Sequence, residues 1–338
     1  MLEQNQNQEK KQRVFSGLKP TGGLTIGNYI GALKNMAAMQ SKYDCFYSVV
    51  DMHSITVDIL PSELRKNSLN MLAFFISCGI DPTKSTIFIQ SHVSAHAELA
   101  WILNCFCMMG EAKRMIQFKE KSAQDKQNVN VGLFSYPVLQ AADIFLYNSD
   151  LVPIGKDQKQ HLELAKTLAE RFNQKFSPTF VVPKAVIAKE GAKVFSLLDP
   201  GAKMGKTDQN PQGVVFLFDD KDTVIKKFKR AVTDSGSEVV FDQINKAGIS
   251  NLLTIYSAFV GRSIKECEGE FVGASYAQFK ERVGEAVAEV LIKIQGEYAR
   301  VIADKGYLEG VARDGAERAG FVANRVLDKV KRKVGFLQ

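Results

Sequence analysis

The sequence predicts an α/β protein: a doubly wound parallel sheet of Rossmann type over residues 13–200, then an α-helical domain over residues 211–338. Three observations predict it. Short apolar runs that read as strands alternate with helix-length segments of 3.6-residue periodicity. Glycines and prolines punctuate the junctions. Beyond Asp220 the strand-like runs cease and helical periodicity takes over.

Residues 1–12 are polar, rich in Gln and Asn, and read as a mobile tail. Val14–Gly17 reads as a strand, followed by a loop holding Pro20, Gly22 and Gly23, then a helical pattern with Ile26, Tyr29, Ile30 and Leu33 on one face. Strand, glycine loop and helix together offer helix-terminal N–H groups to a phosphate, although an ordinary βα turn looks the same. Cys45–Asp51 is the next strand. A helix over Pro61–Cys78 opens on Pro-Ser-Glu and closes at Gly79, with Pro82 just beyond. Thr86–Gln90 reads as a strand and Ala95–Met108 as a helix. Ligands of a doubly wound sheet bind at the carboxyl ends of its strands, near which Gly17, Asp51 with His53, Gln90 with His92, and Gly155 fall. Residues 201–210 form a loop with two lysines, Lys203-Met204-Gly205-Lys206-Thr207. Helices are expected near Thr223–Ala231, Ser250–Val260, Tyr276–Arg300 and Gly315–Val334, the last free to pack back on the first domain.

With 45% hydrophobic and 24% charged residues the chain is globular, which excludes a wholly disordered reading. The net charge of +7 suits an acidic partner. Two basic clusters, Lys226–Arg230 and Lys329–Lys333, could carry that contact or be solvated helix faces. Five cysteines without a C-x-x-C pair read as reduced thiols of a cytosolic protein. The N-terminus lacks an apolar signal core, and the longest apolar block, Met71–Ile80, is far short of a bilayer. A soluble cytoplasmic chain with no membrane partner is expected.

Tyr136, Gln140 and Asp143 share one helix face and could converge on a pocket. His92 and His96 stand four apart but lack the H-E-x-x-H glutamate, so they read as cap or surface residues, and no side-chain metal site is expected. Gly201–Thr207 is one residue short of a Walker A loop and Asp199-Pro200 interrupts its flank, which argues against a P-loop.

Thr25-Ile26-Gly27-Asn28 resembles the HIGH signature of class I aminoacyl-tRNA synthetases, and Lys203–Thr207 resembles their KMSKS loop, with Gly205 in place of the usual Ser. Gly155–Asn173, Phe118–Ala123 and Arg230–Ser235 are similar to segments of the bacterial tryptophanyl-tRNA synthetases, and the resemblance runs from about Val14 to Phe336. It implies a ligase that joins L-tryptophan to ATP, with Mg²⁺, and passes the aminoacyl group to tRNA(Trp). Thr25, Asn28, Lys203 and Lys206 would be catalytic. Lys19, Thr21, Gly27, Asn28, Gly155, Asp157, Lys203 and Lys206 would bind ATP, Asp157 through the ribose. Phe15, Gly17, His53, Tyr136, Gln140, Asp143 and Gln158 would bind the amino acid, Asp143 accepting the indole N–H. Lys113, Arg114, Lys119 and Lys121 are the candidate tRNA contacts, the C-terminal helices would read the anticodon, and Ala95–Lys121 would join a homodimer interface. The chain departs from the family at Gln140, usually Met, at Lys19, usually Gln, and at Lys156, usually Glu. Tyr136, Gln140 and Asp143 together resemble the amino-acid site of tyrosyl-tRNA synthetases. Tyrosine–tRNA ligase and a non-catalytic RNA- or nucleotide-binding paralogue therefore stand as alternatives.

Overall fold

A computed structural model describes residues 11–116, 129–186, 193–205 and 210–337. Most of the expected tail, Phe118–Ala123 with Lys119 and Lys121, and Lys206 with Thr207 lie outside the described residues.

Five parallel strands form one sheet in the order β3-β2-β1-β4-β5: β1 Arg13–Leu18, β2 Asp44–Val49, β3 Thr86–Ile89, β4 Leu151–Pro153 and β5 Lys184–Val186. Side chains alternate between the faces of a strand, and here both faces are covered. Val14, Cys45, Tyr47 and Ile87 enter one apolar core, while their neighbours Phe15, Phe46 and Phe88 enter the other. That is why these strands read as unbroken apolar runs. The order reverses between β1 and β4, which opens a crevice at their carboxyl ends.

Around the sheet run α1 Ile26–Asn28, α2 Lys34–Met39, α3 Pro61–Ser77, α4 Ala95–Asn104, α5 Met109–Lys113, α6 Val131–Phe145 and α7 Lys159–Phe176. A π-turn, Tyr29–Leu33, joins α1 to α2. The later helices are α8 Lys221–Lys229, α9 Ala247–Val260, α10 Ile264–Glu270, α11 Tyr276–Ala303 and α12 Lys305–Val334. α12 returns to the sheet and lies directly on β3. A Cβ at Gly315 would stand 1.7 Å from the Ile87 carbonyl oxygen, so only glycine permits this approach.

Several sequence expectations need correction. The helix expected over Ala95–Met108 ends at Asn104, and a turn follows in which Phe106 packs edge-on against Phe172 and Phe176. β4 and β5 span three residues each, too short for a periodic signal. α10 was missed although Ser263 and Glu266 form a capping box. Neither basic cluster is simply a solvated face. Lys227 is 5% exposed and ion-paired to Asp219 at 2.7 Å. Lys331 pairs with Glu98 on α4, and Lys333 donates to Thr179 Oγ1 at 2.6 Å, so the second cluster docks α12 on the sheet domain.

Candidate active site

Two groups of side chains border the crevice. The first surrounds Asp143, near the end of α6. Asn130 caps that helix by accepting from the Leu133 N–H at 2.8 Å, and its own amide donates to Thr56 O at 3.1 Å. Thr56 in turn donates to His53 O, so the cap of α6 also fixes the 3₁₀ turn Asp51–Thr56 that carries His53.

The Asp143 carboxylate is 1% exposed. Gln90 Nε2 donates to its Oδ1 at 2.7 Å, His96 Nδ1 lies 2.6 Å from the same oxygen, and His53 Nε2 lies 2.8 Å from Oδ2. The Gln90 amide has a fixed orientation, because its oxygen accepts from the Met52 N–H at 3.1 Å. Burial alone would raise the pKa of Asp143. Hydrogen bonds from His53 and His96 outweigh it and hold the carboxyl well below the usual range. A carboxylate offers about four acceptor positions. Among the described residues Oδ1 takes two donors and Oδ2 one, which leaves a position on the oxygen beside His53.

Phe15 and Tyr136 join this group through their ring contacts with Tyr147 and His53. Phe15 stacks on Tyr147, one turn beyond Asp143, with centroids 5.6 Å apart. The His53 and Tyr136 rings meet edge-on at 6.3 Å, and Tyr136 Oη lies 2.8 Å from His161 Nε2. Burial pushes the Tyr136 phenol up to about 12, so it remains neutral. Gly17 stands one residue before the end of β1, where a Cβ would meet a Val50 methyl at 2.6 Å, so packing alone favours its small size. Gln140 donates to Gln158 at 3.5 Å, and Gln158 to Asp157 at 2.9 Å. Gly155 O accepts the Gln158 N–H at 3.0 Å.

The second group lies around Thr25. Its buried N–H and Oγ–H both donate to the Asn28 amide oxygen, at 2.9 and 3.1 Å. Because that oxygen is engaged, the exposed Asn28 side chain presents its N–H₂ outward. Residues 214–217 run alongside: Ile26 N donates to Val215 O, Leu217 N to Leu24 O, and Thr25 bridges Phe216 antiparallel. Lys227 braces this segment through Val214 O at 2.8 Å and through Asp219, which accepts from the Phe216 N–H. Lys203 bridges Phe195, Met204 N donates to Val194 O, and the Asn251 amide on α9 pairs with the Phe195 backbone at 3.0 Å in both directions. A Cβ on Gly27 would sit 3.6 Å from Val194 and 3.9 Å from Met204 O, so the lysine loop abuts the Thr25–Asn28 turn. Lys203 is exposed beside it.

Lys19 and Thr21 occupy the loop after β1, where Thr21 Oγ1 donates to Lys19 O at 3.5 Å. Lys113 and Arg114 are exposed at the end of α5, which Glu111 anchors to Arg171 on α7 with both carboxylate oxygens. Sequence reasoning placed His96 at a cap or on the surface. It is instead wholly buried, with its ring between Asp143 and Tyr147. Tyr147 was missed altogether. Its position four residues after Asp143 in a helical pattern was the available signal.

The family model described as "tRNA synthetases class I (W and Y)" matches residues 6–292. A tryptophan–tRNA ligase of Clostridium tetani is 48% identical over 330 residues, 98% of this chain and 97% of that protein. The tryptophanyl-tRNA synthetase of Mycoplasma pneumoniae superposes with a TM-score of 0.89 at 32% identity, covering 97% of this chain and 98% of that one. That of Campylobacter jejuni, solved with ADP and tryptophan, gives 0.81 at 35% identity, covering 96% and 100%. The chain belongs to the class I tRNA synthetase family of the W and Y enzymes.

Proposed function

We propose that this chain is a tryptophan–tRNA ligase: it activates L-tryptophan with ATP and transfers the aminoacyl group to tRNA(Trp). The near-full-length likeness to tryptophan–tRNA ligases carries the reading. The buried Asp143 gives it a chemical reason. An ionised carboxylate with one acceptor position left suits an indole N–H, and a ring without that donor would leave the position unpaired.

In the first step a tryptophan carboxylate oxygen bonds to the α-phosphorus of ATP as the bond to pyrophosphate breaks. No protein nucleophile is needed, and the protein's contribution is position and charge. Asn28 would donate its outward N–H₂ to the phosphates, held by Thr25. Lys203 and Lys206 would neutralise the leaving pyrophosphate. Gly27 would admit the nucleotide close to the backbone, with Lys19, Thr21, Gly155 and Asp157 around it. Phe15, Gly17, His53, Tyr136, Gln140 and Gln158 would complete the amino-acid pocket. In the second step a hydroxyl of the terminal tRNA adenosine attacks the aminoacyl carbonyl and AMP leaves. The groups at the phosphate end are cationic or amide donors, so Mg²⁺ is proposed to arrive on ATP and to offset phosphate charge there.

Lys113, Arg114, Lys119 and Lys121 are proposed to meet tRNA phosphates, and the helical region 211–338 its anticodon. A cytoplasmic homodimer is proposed. Trp101, Met108, Met109 and Ile116, close together in the chain, are exposed apolar side chains of the kind an interface would cover, and all five cysteines are free thiols. No helix among the described residues is long and apolar enough to cross a membrane.

ATP–pyrophosphate exchange with each of the twenty amino acids in turn tests the reading. Exchange with tryptophan alone is expected. Exchange with tyrosine would favour the sibling enzyme, and none at all the binding paralogue.

A further inference from the structure

His96 and Tyr147 belong to no role assigned above, yet they are fully buried polar neighbours of Asp143. Both are 0% exposed. His96 Nδ1 faces Asp143 Oδ1 at 2.6 Å, and its Nε2 faces the Tyr147 hydroxyl at 2.7 Å. We propose that they are positioning residues which set the hydrogen-bonding sense of Asp143, and through it the preference for a substrate ring that carries an N–H. The inference rests on the tryptophan reading.

Tyr147 has one proton to give, and burial keeps the phenol protonated. Donating it to Nε2 makes that nitrogen an acceptor, so the imidazole proton resides on Nδ1, aimed at Asp143. Asp143 is then surrounded by donors and is itself only an acceptor. In the opposite tautomer an Nδ1 lone pair would face Oδ1 at hydrogen-bond distance. That contact is tolerable only if the carboxyl takes a proton. A protonated carboxyl no longer distinguishes sharply between an N–H and a group without one.

Tyr147→Phe removes the hydroxyl and keeps the ring that stacks on Phe15 at 5.6 Å and on Phe46 at 4.8 Å. The measurement is exchange kinetics with L-tryptophan and with its 3-benzothienyl analogue, in which sulfur replaces the ring N–H. In Tyr147→Phe the KM for tryptophan should rise about tenfold and that for the analogue less than about twofold, with the KM for ATP unchanged. His96→Leu should lose the same preference, whereas His96→Asn, whose amide N–H can stand where Nδ1–H stood, should keep most of it. Equal losses for both substrates, or an unchanged ratio in Tyr147→Phe and His96→Leu, would overturn the proposal. Wild-type protein without tryptophan-dependent exchange would instead overturn the functional reading, and this inference with it.

Discussion

The amino-acid end and the phosphate end of the crevice are built on opposite plans. At the first, a buried carboxylate takes donors from three different elements, and two of them, Gln90 and His96, are oriented by a further hydrogen bond. At the second, a rigid backbone frame presents exposed groups, Asn28 and Lys203. The contrast follows from the work proposed for each. Selecting one ring demands dry, fixed partners that are left unpaired by the wrong ligand. Handling a triphosphate demands charge that engages mainly in the transition state and then releases pyrophosphate, and exposed lysines hold on less tightly than buried ones would.

The sharpest way to separate the two ends is to remove one group from each. Lys203→Ala should lower kcat of exchange by about 10²–10³-fold, the usual effect of losing one charge-stabilising donor. Its unfolding temperature should stay at the wild-type value, because the side chain is exposed. Asp143→Asn should raise the barrier for tryptophan by about 3 kcal/mol, roughly a hundredfold in kcat/KM, and should also lower the unfolding temperature. A thermal melt beside the kinetics decides the matter. If both variants melt like wild type, the amino-acid end is not the structural keystone that its burial implies.

Lys227→Met tests the frame of the phosphate end. It strands Asp219, 15% exposed, without its cation and releases Val214 O. A loss of about 3 kcal/mol in urea unfolding is expected. The KM for ATP should rise several-fold, since residues 214–217 hold the Thr25–Asn28 turn. An unchanged KM for ATP would show that the turn holds itself.

The layered sheet was legible because its strands are apolar on both faces, and α3 because Pro61 and Gly79 bracket it. β4 and β5 were not, since three residues cannot display a period. In the site, Asp143 stood out as a lone carboxylate among Ala141, Ala142 and Ile144. Its partners His53, Gln90 and His96 lie 90, 53 and 47 residues away in the chain. The resemblance brought His53 into the site and a strand end marked Gln90, whereas nothing in the spacing linked either Gln90 or His96 to the carboxylate. Lys227 was obscured by its neighbours, because in a run of basic residues nothing marks the one that α8 turns inward. Contacts local to a helix or a turn can be read from spacing, whereas contacts between strand ends await the fold.

Gln140 should give the smallest effect, and it bears directly on whether the two ends communicate. Through Gln158 it is the first link of a chain to Asp157, but that link is 3.5 Å long and only partly buried. A hydrogen bond so stretched contributes little. Gln140→Met should therefore change the KM for tryptophan and for ATP by less than about threefold, within the few tenths to 1 kcal/mol of a weak contact. A double-mutant cycle with Asp157→Ala should show coupling near zero. Strong coupling would mean that the chain tightens once both substrates are bound, and the two ends would then have to be treated as one cooperative unit.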